Sequence, residues 1–240
     1  MSGSDARAAL ARRFSPTEDD RRVRDTPSHA AGGVYPLAPV ADGVFPETIE
    51  TERLRLEARR PETVDLDECY RICSSDPGID EVTEYVTWDP HETKRETLEF
   101  LERGRERFDE GEAAPYVIRP REGEDGAGEI AGFGGFEVDW EKRTAVLGTW
   151  LRKPFWGRGY SGERAAALVE VAFDDLDLEV VAVSHHPDNE QSRRAIEKYV
   201  DRLGGRREGL LRNRLTFADG SVHDEVRYTI SRAEWREATA

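Results

Sequence analysis

The 240-residue chain carries 50 acidic against 35 basic residues, a formal charge of −15, and so negative a surface repels nucleic acid and anionic membrane, which bind through phosphate neutralisation. Its length suits one globular domain with a tail. No run approaches the ~20 apolar residues of a membrane span, and no apolar leader opens the chain, so the cytoplasm is the expected compartment.

Four lysines and one methionine beside the acidic excess suggest adaptation to high salt, where short-range screening relieves self-repulsion; an ordinary acidic soluble protein is the alternative. Residues 1–46 mix Ser, Asp, Arg, Gly and Pro around one Ala/Leu/Arg patch at 8–14. They bury too little apolar area to offset their ordering entropy and read as a disordered tail. The domain is expected over 47–237.

Alternation over 48–57 predicts one strand with a single buried face. Pro61 opens a helical segment through Leu66, Tyr70 and Cys73, which Asp76-Pro77-Gly78 ends. Cys69 and Cys73 share a helix face and lack nearby histidines, so buried reduced thiols are expected, and no metal site. A short segment at 82–88 leads to an exposed amphipathic helix over 92–110, marked by Leu98, Leu101 and Phe108. Strands are predicted at 115–119, 130–138 and 144–151, separated by a Gly/Asp-rich loop at 122–128 and a turn at 139–143. Glycines 132, 134 and 135 inside a strand call for a close neighbour, either a substrate channel or tight packing.

The organising stretch follows. The strand ending Trp150-Leu151 enters Arg152-Lys153-Pro154-Phe155-Trp156-Gly157-Arg158-Gly159-Tyr160-Ser161, and an Ala/Leu/Val-rich helical pattern leaves it over 161–176. A strand, a glycine turn and a helix start make an anion site, because the first N–H groups of a helix lack intrahelical partners and sit at the positive end of its dipole. A second strand at 179–184 leads to a helix-like segment carrying Asn189, Ser192 and Lys198. Two closing strands joined at Asp219-Gly220 end near Glu234-Trp235.

The order of strand, Gly157-x-Gly159, helix, strand, Asn189-x-x-Ser192, Glu197-Lys198 and Glu208-Gly209 resembles the acyl-CoA-binding core of the GNAT N-acetyltransferases. Within them it is most similar to the Rim-type branch, the ribosomal-protein N-terminal acetyltransferases, and the likeness spans 48–235. It implies an α/β (α+β) fold with a mixed, mostly antiparallel seven-stranded sheet whose central strands splay apart, and acetyl-CoA as co-substrate. It further implies a donor site of Trp150, Leu151, Arg152, Trp156, Gly157, Arg158, Gly159, Tyr160 and Ser161, with main-chain amides gripping the diphosphate and Asn189 and Ser192 on the pantetheine arm. Pro154 stands where the superfamily motif usually has Gln or Arg.

A tyrosine common seven residues after the asparagine is Ile196 here, so Ser192 is the expected hydrogen-bond donor to the leaving sulfur. Tyr199 is the alternative, in an irregular stretch where five residues stand between Lys198 and Gly204 in place of the family's usual one. An amine arrives largely protonated at neutral pH and needs a proton acceptor. Glu137 is the first candidate, with Asp139 and Asp224 next; His185-His186 reads as an exposed pair. Ser221, His223 and Asp224 look like a hydrolase set, but neighbours on a strand point to opposite faces. Tyr85 and Trp88 are placed either lining the acceptor cleft or packed beneath its roof. The acceptor is expected to be a protein N-terminus; a small amine such as an aminoglycoside, polyamine or amino acid, or a non-catalytic acyl-CoA-binding module, are the rival readings. A homodimer is allowed for.

Overall fold

The computed structural model describes residues 43–240; the expected tail up to residue 42 lies outside them. Its strands are β1 (Thr48–Glu50), β2 (Leu54–Ala58), β3 (Ala113–Pro120), β4 (Gly132–Asp139), β5 (Thr144–Leu151), β6 (Val180–His185), β7 (Arg206–Thr216) and β8 (Val222–Ser231). The helices are α1 (Leu66–Ser75), α2 (Ile79–Thr83), α3 (Lys94–Asp109), α4 (Tyr160–Glu170), α5 (Glu190–Arg202) and α6 (Arg232–Thr239). All the strands form one sheet in the order β1-β2-β3-β4-β5-β6-β8-β7. Every pairing is antiparallel except the parallel β5–β6 pair.

Eight strands stand where seven are expected, because the single strand read over 48–57 folds back on itself: Thr48 pairs with Glu57 and Glu50 with Arg55. Phe45, ahead of the expected domain start, is buried and packs on Phe108 and Phe136. The first helix begins later than Pro61, at Leu66, where the Asp65 carboxylate accepts from the Glu68 N–H and supplies the cap that Pro61 does not. At the other end Glu234 and Trp235 lie on α6 rather than on a strand. Ser231 and Glu234 form a reciprocal capping box that turns the chain into a helix, and Trp235 packs on Phe173.

Side-chain alternation along the strands divides the core. Tyr116, Ile118, Phe136, Ala145 and Leu147 face α4 and α5 and meet Leu168, Val169, Ile196 and Val200. Val117, Phe133 and Trp150 face the other way, onto Cys69, Ile72, Cys73 and Leu101 of α1 and α3. Both cysteines are free and buried; hydrogen bonding to Cys69 together with burial pushes the Cys73 thiol well up. The strand glycines answer to packing. A Cβ on Gly135 would stand 2.0 Å from the Ala114 carbonyl oxygen, and one on Gly132 2.3 Å from that of Trp150. No helix among the described residues is long and apolar enough to cross a membrane.

Candidate active site

Strands β5 and β6 run side by side from Thr144/Val180 to Leu147/Val183 and then part. β5 continues through residues 148–151, paired only with β4. The resulting gap opens a cleft of about 450 Å³ lined by residues 147–151, Val183, Ser184, Asn189, Ser192, Arg164 and Tyr199. It adjoins a larger hollow of about 1000 Å³ over the glycine turn.

In that turn Gly157 and Gly159 adopt φ of 75° and 82°, a left-handed conformation that costs other residues roughly 1–2 kcal/mol. The N–H groups of residues 157–161 find no acceptor among the described residues, so five successive donors converge on the start of α4. Pro154 sits in a short 3-10 turn, Lys153–Phe155, ahead of these donors, so its missing N–H removes none of them. Glu163 ties the turn to the β1–β2 hairpin. Its carboxylate accepts from the Thr51 hydroxyl (2.5 Å), the Arg53 N–H (2.8 Å) and the Arg53 guanidinium (2.7 Å). Burial works against the charged form, but these bonds outweigh it and hold the carboxyl below its usual range.

One face of α5 presents Arg194, Lys198 and Arg202 to the same hollow, spaced four apart so that they stack along the helix. Lys94, Lys142 and Lys153 are each paired with a carboxylate, whereas Lys198, like Arg194 and Arg202, has no ion-pair partner among the described residues. A protein of charge −15 thus keeps a row of cations unpaired with carboxylates beside its free amides, Arg202 also donating to the Gly162 carbonyl at 3.1 Å. This donor set suits a diphosphate with a further phosphate, and the bare strand segment beside it suits an extended arm that bonds like an added strand.

The expected site residues divide. Trp156, Ser161 and Leu151 line both hollows; Gly157, Arg158, Gly159 and Tyr160 line the larger, Trp150, Asn189 and Ser192 the smaller. Arg152 does not join them. Its guanidinium turns inward to Asp76 at 2.9 and 3.0 Å and to the Ile130 carbonyl at 2.9 Å. The side-chain oxygen of Asn189 caps α5 by accepting from the Ser192 N–H at 2.9 Å. Tyr199 lies on regular helix, since the extra residues after Lys198 extend α5 to Arg202 instead of forming a loop. It lines both hollows, and burial pushes its phenol up to about 12.

Glu137 stands outside the cleft. It lies two pairs along β4 from the gap, opposite Val146, its side chain is 65% exposed, and it is bonded to Arg107 at 2.8 Å. Asp139 is held by Lys142, and Asp224 accepts from the Asn213 N–H across the β7–β8 hairpin. The neighbour of Asp224 faces inward instead: Glu225 is buried and accepts from the Ser184 hydroxyl at 2.9 Å. Ser184 lines the cleft immediately after the last β5–β6 pair.

His185 and His186 are buried, not exposed. The His186 ring meets His223 at 3.2 Å and stacks on Tyr85, and desolvation lowers its pKa. His223 also bonds Ser221 at 2.7 Å, but with Asp224 engaged elsewhere no triad forms. Tyr85 lines the cleft with Glu81, Glu84, Asp188 and Glu190, whereas Trp88 packs against Trp150. Ser184–Glu225 and Arg164 escaped the sequence reading; alternation about Asp224 was the one signal available for Glu225.

Residues 53–199 match the acetyltransferase (GNAT) domain family, and the chain belongs to that family: it is an acetyl-CoA-dependent GNAT N-acetyltransferase. It is 28% identical over 192 residues to "Uncharacterized N-acetyltransferase p20" of Bacillus licheniformis, covering 79% of this chain and 98% of that protein. Over 98 residues it is 35% identical to "Putative ribosomal N-acetyltransferase YdaF" of Bacillus subtilis (strain 168), covering 41% of this chain and 51% of that one. The microcin C7 self-immunity acetyltransferase MccE, solved with acetyl-CoA and AMP, superposes with a TM-score of 0.65 at 18% identity, over 79% of this chain and 98% of its own. These relatives bear out the Rim-type resemblance and the fold class expected from sequence.

Proposed function

We propose that this enzyme acetylates the α-amine of a protein N-terminus, binding donor and acceptor together on opposite faces of the sheet. The observation that carries this reading is the two-sidedness of the gap. On the α4–α5 face lie the free amides and the cation row. On the other face, that of Trp150, Ser184 points toward a rim of Glu84, Tyr85 and Asp188. An acidic rim attracts a protonated amine and repels acidic molecules. An α-amine titrates near ~8 against ~10.4 for lysine, so far more of it is neutral at pH 7. The resemblance to a relative named for ribosomal N-acetylation supports a protein acceptor.

Residues 157–161, Arg194, Lys198 and Arg202 hold the phosphates of the donor, and the bare edge of 148–151 holds its arm. The donor thioester supplies the acetyl group: the amine nitrogen bonds the carbonyl carbon, the carbon–sulfur bond breaks, and sulfur leaves with its electron pair. Glu225 takes the amine proton through the Ser184 hydroxyl, directly or by one water. Ser192 and Tyr199, both on α5, supply the hydroxyls that bond the departing sulfur.

The test is thiol release from acetyl-CoA over N-terminal peptides, polyamines, aminoglycosides and amino acids, with mass spectrometry locating the acetyl group. Peptides modified on the α-amine are expected to react fastest. Glu225→Gln should lower kcat by about 10²-fold or more while leaving the KM for acetyl-CoA within twofold. Ser192→Ala and Tyr199→Phe together should cost more than either alone. Faster turnover of a small amine, or full kcat in Glu225→Gln, would overturn the acceptor or the base assignment respectively.

A further inference from the structure

One charged side chain in the cleft has no counterpart in the scheme above. On α4 the buried stripe runs Tyr160, Arg164, Leu168, four apart, so an arginine occupies a position where its neighbours Ala165, Leu168 and Val169 are fully buried and apolar. Arg164 is 1% exposed, yet it forms part of the cleft wall. Its guanidinium makes a single bond, from Nη1 to the Gly148 carbonyl at 3.2 Å, and Nε has no partner. No carboxylate reaches it among the described residues. Desolvation accordingly pulls its pKa down, with Tyr199 the one opposing influence.

The fold makes room for this group. Gly134 lies against it on β4, where a Cβ would meet Arg164 Cδ at 3.0 Å and Thr149 Oγ1 at 2.8 Å. A guanidinium donates and never accepts, so whatever completes its bonding must offer an acceptor. Buried polar groups left unmade are costly, and where a fold retains one in a cleft a ligand is the natural partner. Gly148, its single protein acceptor, is the first residue of β5 beyond the parting from β6, the point at which an added strand would lie.

We propose that Arg164 donates hydrogen bonds to a carbonyl oxygen of the acyl-pantetheine arm and is thereby a specificity-determining residue for the donor. This rests on the donor-binding reading given above. Two carbonyls offer the same chemistry there, an amide of the arm and the thioester itself, and the probes can separate them.

Arg164→Met keeps the length of the side chain and removes its donors. Binding of 3′,5′-ADP, coenzyme A and acetyl-CoA would be measured by calorimetry on the full-length wild type and variant, with thermal melting alongside. The variant should bind 3′,5′-ADP within twofold of wild type, bind acetyl-CoA at least tenfold more weakly, and melt no lower than wild type. An equal loss for coenzyme A assigns the bond to an arm amide; a loss confined to acetyl-CoA assigns it to the thioester. Arg164→Lys, which retains a donor, should recover part of the loss, and it carries the same comparison if the methionine variant does not fold. Unchanged binding of all three probes, or equal weakening of all three, overturns the proposal. Failure of the wild type to bind any probe would instead sink the donor-site reading on which it rests.

Discussion

Replacing Arg152 with methionine separates a structural residue from a ligand contact. The guanidinium bonds both oxygens of Asp76, whose side chain is 3% exposed, and Asp76 is the residue on which α1 ends. The pair therefore clamps the α1–α2 roof to the end of β5. Burial opposes the charge on Arg152, but the Asp76 bonds outweigh it and raise its pKa. Removing one partner of such a pair strands the other, a loss of ~3–5 kcal/mol when nothing replaces it. Arg71 stays 3.5 Å from Asp76 and softens the loss, so about 3 kcal/mol is expected, the low end of that range. At ~2–4 °C per kcal/mol for a chain of this size, the melting temperature should fall by roughly 6–12 °C. Calorimetric melting gives this number, and titration of the folded variant with coenzyme A should give a Kd within twofold of wild type. Adding Asp76→Leu should restore much of the loss, since an apolar pair of similar volume replaces a buried ion pair at little cost. An unchanged melting temperature with a tenfold weaker Kd would refute the reasoning and return Arg152 to the donor site.

Two further outcomes follow from the same geometry. Lys198→Ala and Arg194→Ala each remove a charged donor worth about 1.5 kcal/mol, so the KM for acetyl-CoA should rise roughly tenfold with kcat and melting temperature unchanged; equal KM values would remove α5 from phosphate binding. Glu163 has a folded pKa below its unfolded one, so its contribution is present above the ordinary carboxylate range near ~4.3 and is lost as pH falls through the lower folded value. Glu163→Gln should therefore melt lower than wild type at pH 7 and lose less on acidification to pH 3; parallel melting curves across that range would contradict the assignment.

Much of the fold was legible from neighbouring residues alone. Apolar runs bounded by turn residues mark β3 to β6, and the Gly157-x-Gly159 turn announces a helix start. These features depend on contacts within a few residues, which spacing and residue type govern directly. The extension of α5 and the β1–β2 hairpin are not legible there, the first because a departure from a family spacing carries no sign of its conformation, the second because a tight reversal hides inside regular alternation.

Which carboxylate or cation stands in the cleft depended on partners far along the chain. Glu137 is claimed by Arg107, Arg152 by Asp76, and Glu225 is turned inward by the β6–β8 register toward Ser184, 41 residues away. With 50 acidic residues to choose among, composition ranks none of them. Local sequence determined a strand, a glycine turn and a helix start, and the family resemblance implied the parted strands; only packing, which sets burial and charge pairing together, decided which side chains were left free beside them.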